Sequence, residues 1–297
     1  MKLNLRSCWA ALFALTLTGA VFSACEKAVF DEENSKTDNK NANLILRIKG
    51  SQIDDSFTTR AMVDITTSCT RFNFVLYKDG NKIKSYTQTS GDANYGEVAL
   101  TLDAGTYKLL VLAHSSQGGN PTLSDPESIQ FTNAIGFSDT FYYYADIVVT
   151  KEPKIHEITL TRAVARLSFV INDDLPSNVA YLRFYYTGGS GVLNALTGYA
   201  GNVNSRQERL IGASGLSSPL TIPLYTFLSN DEGTLQLTVT ALESDKETVV
   251  KERTFTDVPV ERQKETILEG DFFDHPSENG FSFKAETDWQ ISQTITY

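Results

Sequence analysis

Cysteine and histidine are scarce in this sequence, long apolar runs are confined to one stretch, and positive charge is outweighed by negative. Each shortage closes off a class of chemistry. The 297 residues include three cysteines and three histidines. His156 sits within a candidate strand and His275 in a polar hinge, and neither has a His or Cys at ligand spacing, so a zinc site is not expected. Asp31, Asp38 and their neighbours lack the spaced oxygen ligands and central glycine of a calcium loop. No Gly-x-x-x-x-Gly-Lys phosphate cradle or dinucleotide fingerprint appears. His114 precedes Ser115 and Ser116, but no Gly-x-Ser-x-Gly surrounds those serines. Adjacent residues in a chain leaving a strand seldom reach triad geometry, so His114 reads as a histidine at a loop edge. Neither catalysis nor a metal or organic cofactor is expected. Lysine and arginine number 26 against 36 acidic residues, a formal net charge of −10. That sign argues against nucleic acid and anionic lipid headgroups as partners.

The one long apolar stretch runs from Cys8 to about Val21, behind Lys2 and Arg6 and ahead of the small residues Ser23 and Ala24. It is interrupted by Thr16, Thr18 and Gly19, and it falls short of the roughly 20 apolar residues of a permanent membrane span. Residues 1–24 therefore read as a cleaved secretion signal. The segment Phe22-Ser23-Ala24-Cys25 resembles a lipobox, where a bacterial signal peptidase cuts before a diacylglycerol-modified cysteine. Cys25 is then the lipidated first mature residue, with covalent acyl chains as its only attached group. Loss of the signal and lipidation of Cys25 leave Cys69 as the one free thiol, so a disulfide is not available and the core must hold the fold. Residues 25–42, with the polar run Asp31 to Asn41, bury too little apolar surface to order themselves and read as a flexible tether.

From Asn43 onward short apolar runs alternate with turn clusters, and the 3.6-residue period of helices is missing. Seven candidate strands precede residue 159 or so: Leu44–Lys49, Arg71–Tyr77, Lys82–Thr87, Gly96–Leu102, Thr106–Ala113, Phe141–Thr150 and Ile155–Leu160. Seven follow: Ala163–Ile171, Val179–Tyr186, Leu220–Leu228, Leu235–Leu242, Thr248–Phe255, Glu265–Phe272 and Phe281–Tyr297. Lys78-Asp79-Gly80-Asn81 and Asp103-Ala104-Gly105 place glycine where hairpins need positive φ. Gly188–Ser218 reads as the longest loop, with a short helical turn near Val192–Leu196. The expected architecture is all-β: an N-terminal sandwich over 43–158, a C-terminal sandwich over 159–273, and a hinge with a last strand over 274–297. In Ala163–Ile171 the odd positions form an apolar face, and Arg166 and Ser168 give the other a polar centre. Arg162 and Arg166 either pair with carboxylates or line a solvated face, the second being favoured because exposed pairs contribute little.

Two segments carry a family resemblance. One is Leu160-Thr161-Arg162-Ala163-Val164-Ala165-Arg166-Leu167-Ser168-Phe169-Val170-Ile171. The other is Asp257-Val258-Pro259-Val260-Glu261-Arg262-Gln263-Lys264-Glu265-Thr266-Ile267-Leu268-Glu269-Gly270-Asp271-Phe272-Phe273. They resemble the strand that opens, and the hairpin that closes, the C-terminal domain of the fimbrillin-associated anchor lipoproteins of Bacteroidales. Leu102-Asp103-Ala104-Gly105-Thr106-Tyr107-Lys108-Leu109 resembles a turn and strand of that family's N-terminal domain. With the lipobox, the similarity spans nearly the whole chain. It implies two transthyretin-like sandwiches, a lipid anchor in the outer membrane at the cell surface, a fimbrillin-type subunit as partner, and a role in fixing fimbriae and limiting their growth. Asp31 to Glu33 also resemble the acidic segment near the cysteine of some surface-exported lipoproteins; a solvated linker explains them equally well.

The residues after 280 alternate strictly. Phe281, Phe283, Ala285, Trp289, Ile291, Ile295 and Tyr297 are the apolar members of the odd positions, and no even position is apolar. That is a strand with one face on a core and one in water. At about 3.3 Å per residue it would reach roughly 55 Å, far longer than the usual five or six residues. Either part of it is donated to a neighbouring subunit, with Phe281, Phe283, Trp289, Ile291 and Ile295 filling alternate pockets, or it completes this chain's own sheet. Two aromatic clusters, Phe141-Tyr142-Tyr143-Tyr144 and Tyr181 with Phe184-Tyr185-Tyr186, support a rival reading as a surface lipoprotein that binds glycans or host proteins directly. Core packing is the favoured account of these rings, because on adjacent strand positions half of each cluster must face inward.

Overall fold

A computed structural model describes residues 41–52, 62–132, 137–201, 204–211, 218–274 and 281–286. The described residues all belong to one compact unit, Thr37–Tyr297. The expected signal, Cys25 and all but the end of the tether lie outside the described residues, as do Trp289, Ile291 and Ile295.

Among its described residues the unit Thr37–Tyr297 is all-β. Its first sandwich begins with β1 (Leu44–Gln52), β2 (Met62–Val63), β3 (Arg71–Lys78), β4 (Asn81–Thr89) and β5 (Glu97–Leu100). It continues with β6 (Gly105–His114), β8 (Phe141–Val149) and β9 (Lys154–Arg162); the short β7 (Ile129–Gln130) lies between β6 and β8 in the chain and belongs to another sheet. The strand order is β2-β1-β9-β8-β6-β3-β4, with β5 also on β1. The ladder nearly breaks between β8 and β9, which pair only at Phe141↔Arg162 and Tyr142↔Thr161. There the sheet turns a corner, so that Leu46 and Ile158 face Phe74, Leu109 and Val111 across one core. The second sandwich comprises β10 (Ala165–Ile171), β11 (Tyr181–Thr187), β12 (Val192–Asn194), β13 (Tyr199–Ala200) and β14 (Asn204–Leu210). After these come β15 (Leu220–Thr226), β16 (Glu232–Leu242), β17 (Val249–Glu261), β18 (Glu265–Gly270) and β19 (Phe281–Glu286). Two four-stranded sheets, β15-β10-β18-β19 and β14-β11-β16-β17, enclose a core around Phe169, Phe184, Val239 and Phe272. Each sandwich contains one parallel pair that joins its opening strand to a late one, β1 with β9 and β10 with β18.

The sandwiches are joined by a third core. β6 reads Gly-Thr-Tyr-Lys-Leu-Leu-Val-Leu-Ala-His and changes from alternating to fully buried halfway along. Tyr107, Leu109, Val111 and Ala113 enter the first core, whereas Leu110 and Leu112 turn the other way. With Val75 and Tyr77 of β3 they pack on Ala163, Val164, Leu193, Ala195, Tyr225 and Phe227, which follow β9 or belong to the second sandwich. A sheet covered on both faces needs a continuous apolar run, and this is what β3 and β6 supply. Phe137 and Phe227 stack at 5.2 Å with 8° between planes. A three-stranded sheet, β13-β12-β7, adds backbone pairing across the same joint.

Two expectations are corrected here. Within Gly188–Ser218 the structure places β12, a turn, β13 and β14 instead of a loop with a helical turn. The Asn194 Oδ1 accepts from the Leu196 amide at 2.9 Å, and Gly198 takes φ +77°, so the segment folds back as a hairpin. Arg162 is not on a solvated face. It has no solvent exposure, and its Nε and Nη2 donate to Asp139 Oδ1 and Oδ2 at 3.0 and 2.9 Å. The next amide, of Ala163, donates to the Thr140 carbonyl at 2.8 Å. The pair fastens the corner where the chain leaves the first sandwich. Arg166 is paired too, with Glu265 at 3.1 Å on neighbouring β18.

Substituting Arg162→Met leaves the Asp139 carboxylate without its partner in a water-poor site, and is expected to cost about 3–5 kcal/mol of unfolding free energy. The double variant Arg162→Met/Asp139→Leu should recover most of that loss. Urea unfolding of the three proteins checks both statements; equal stability of the single and double variants would contradict them.

Candidate partner-binding edge

The segment with the strongest alternation enters the fold as β19. It pairs antiparallel with β18 over six positions, from Glu265↔Glu286 to Gly270↔Phe281, so Phe281 and Phe283 lie on the outermost strand of their sheet. The other side of β18 is taken by β10. Among the described residues the far side of β19 carries no partner strand, and such a side presents unpaired amides and carbonyls that a further strand can meet.

The approach to β19 is held by a residue that sequence reasoning did not single out. Asp173 follows β10, and its carboxylate receives the backbone N–H groups of Phe272, Phe273 and Asp274 at 2.7, 2.5 and 2.8 Å. Three amide donors on one buried carboxylate make a strong clamp. Phe272 beside it is fully buried and meets Phe169 edge-on at 5.8 Å. The chain therefore leaves the second core at a fixed point immediately before 275–280. An Asp just beyond a strand end is the only hint of this in the sequence, and it is a common turn residue.

The aromatic clusters are packing positions. Phe141 is fully buried, Tyr142 and Tyr144 lie on the joint between sandwiches, and Tyr143 packs on the first core with its hydroxyl 3.0 Å from His156 Nε2. Phe184 and Tyr186 are buried and Tyr181 lies under the Lys246 ammonium at 4.4 Å, which leaves Tyr185 as the largely exposed member at 46%. Among the described residues no three His, Cys, Asp or Glu side chains are grouped to hold a metal.

His114 is not at a loop edge. It ends β6 without solvent exposure, its Nε2 bonded to Asn73 Oδ1 at 3.0 Å and its Nδ1 accepting the Ser116 backbone N–H at 3.2 Å. Ser115 Oγ donates to the Ser68 carbonyl, so that hydroxyl is turned away from the imidazole. Burial, together with the Arg71 guanidinium, lowers the His114 pKa to about 3 from the ordinary 6.5.

A histidine whose folded-state pKa lies below its unfolded one binds its proton more readily when the chain opens. The contribution is thus fully present above the unfolded value of 6.5 and is lost as pH falls from there toward about 3. The slope is expected to reach about 1.4 kcal/mol per pH unit. Unfolding free energies measured at intervals across this range should fall less steeply for His114→Gln than for the parent. Parallel curves would show that His114 does not carry the acid sensitivity.

Among solved structures, a proposed adhesin of Bacteroides thetaiotaomicron is similar at 11% identity and TM-score 0.48, covering 83% of this chain and 96% of its own. A proposed adhesin of Bacteroides ovatus shares 13% identity at TM-score 0.45, over 82% of this chain and 93% of its own. A fimbrial assembly protein of Parabacteroides distasonis shares 12% at TM-score 0.38, again over 82% and 93%. No curated protein matches the sequence. A family model, described as a family of unknown function, DUF6562, matches residues 34–296, and the chain belongs to that family.

Proposed function

We propose that this protein is a non-catalytic outer-membrane lipoprotein that fixes a fimbria to the cell surface and limits its growth through strand-mediated contact with a fimbrillin-type subunit. The observation that carries the reading is the position of β19: an outermost strand, rooted by the Asp173 clamp, whose apolar alternation runs on through Trp289, Ile291 and Ile295. A partner strand added there, or residues 287–297 laid into a partner's groove, gains main-chain hydrogen bonds for affinity and alternate side-chain pockets for specificity. The signal-like segment ahead of Cys25 supplies the membrane attachment in this reading, and acyl chains there would hold the folded unit at the outer leaflet. The order of the three motifs that resemble the fimbrillin-associated anchor lipoproteins supports the same assignment.

Two variants in the native host test it together. Cys25→Ala is expected to leave the fold intact and to release both protein and fimbriae into the medium. Deleting 290–297 is expected to leave the melting temperature within a few degrees while detaching the fimbriae. Unchanged membrane retention of the first variant would remove the anchor. A deletion that collapses the melting temperature would show that the segment completes this chain's own sheet, in place of a partner's.

A further inference from the structure

The first sandwich ends on β4, nine residues long and the outermost strand of the eight-stranded sheet. A strand in that position invites pairing with another chain unless something prevents it. The Ser90 N–H donates to the Thr70 carbonyl at 3.0 Å, and in an antiparallel ladder bonded pairs alternate with unbonded ones. The register of β3 with β4 starts at Arg71↔Thr89, so the main-chain groups of Ser85, Thr87 and Thr89 point away from β3.

Each stretch of that edge is closed by a different device. Thr89 is already occupied: its N–H donates to Asp92 Oδ2 at 2.7 Å, and its carbonyl accepts the Asp92 N–H at 2.9 Å. Beside it the buried Gln88 side chain stitches β4 to the chain entering β5. Its Nε2 donates to the Asn94 and Glu97 carbonyls at 3.0 and 2.8 Å, and its Oε1 accepts the Gly96 N–H at 3.0 Å. Toward the other end the register slips between Leu76 and Tyr77, which bulges β4 at Ile83. Lys84 stands opposite Leu76, on the face where Tyr86 packs against the first core, yet it is exposed, as is Lys82. A strand laid along this edge would cover the Lys84 ammonium, which costs free energy unless the charge is paired. Ser85 and Thr87 keep open main-chain groups, two residues against the five or six of an ordinary strand.

We propose that β4 is a guarded edge: it refuses strand addition to the first sandwich, leaving the second sandwich, where β19 lies, to meet other subunits. What this guard limits rests on the fimbrial reading above; the guard itself does not. A subunit with a usable edge on each sandwich passes growth on to the next, whereas one closed at β4 receives a strand without offering another there. The chain has 26 basic residues against 36 acidic ones, yet the two charged side chains of β4 are both lysine. Rejection of a wrong partner is commonly built from a charge of this kind, placed where pairing would have to desolvate it.

The test is amide hydrogen exchange of the purified full chain, read at Ser85 and Thr87 over a range of protein concentrations with no fimbrial subunit present. The parent is compared with Lys82→Thr/Lys84→Val and with the triple variant that adds Asp92→Ala. In the parent both amides are expected to exchange rapidly at every concentration, and also after addition of a short peptide of alternating Glu and Val. In the triple variant they are expected to slow by about tenfold or more as concentration rises, the order of a ladder hydrogen bond. If the triple variant shows no cooperative melting, the lysine double variant carries the comparison. Association through β19 leaves these two amides unchanged, so the fimbrial reading and the guard can fail separately. Exchange as fast in the folded variants as in the parent overturns the guard. Protection of the parent's amides by the acidic peptide also overturns it, since β4 would then be an acceptor for negatively charged strands.

Discussion

The packing that everything else depends on is the second buried face of the β3–β6 sheet. A two-layer sandwich ordinarily wets one side of each sheet, so its strands alternate. In this protein Leu110, Leu112, Val75 and Tyr77 are buried on the side away from the first core, against Phe227, Tyr225, Leu193 and the Ala163-Val164 crossing. Exposing that face would place a row of large apolar side chains in water at roughly 25 cal/mol for every Å² uncovered. The two sandwiches consequently have no low-cost way to part, and the short β7–β12 pairing adds backbone bonds across the same joint.

A stiff joint of this kind fits the proposed anchoring role. The second sandwich keeps its outer edge at β19, and the Asp173 clamp fixes the point from which that strand departs. Gly198 shows how closely the joint is fitted: a Cβ there would stand 2.0 Å from the Tyr142 hydroxyl of the first sandwich. A force applied at one edge is carried through packed side chains and paired backbone, with no flexible linker between sandwiches to absorb it.

Much of this was legible from residue order alone. Strands whose side chains alternate, or whose runs are continuously apolar, such as β3, β6, β10 and β16, announce themselves because burial on one or both faces dictates the residue types. β14 did not, since Asn-Ser-Arg-Gln-Glu-Arg-Leu has no apolar period. Its inward Gln207 is buried through bonds to the Tyr186 hydroxyl and the Tyr225 carbonyl, a solution invisible before the neighbours are known. The same reason hid Arg162, whose carboxylate lies 23 residues away, and His114, whose Nε2 partner Asn73 comes from another strand. The candidate edge was legible in part: the alternation of residues 281–286 marked a strand, while the clamp at its root depends on an aspartate about a hundred residues earlier.

The claim that the sandwiches form one body is tested most directly by differential scanning calorimetry of the folded unit. One transition is expected, with the van't Hoff enthalpy equal to the calorimetric enthalpy. Two resolved transitions, or a van't Hoff value near half the calorimetric one, would mean that the sandwiches melt independently and that the shared core does not join them.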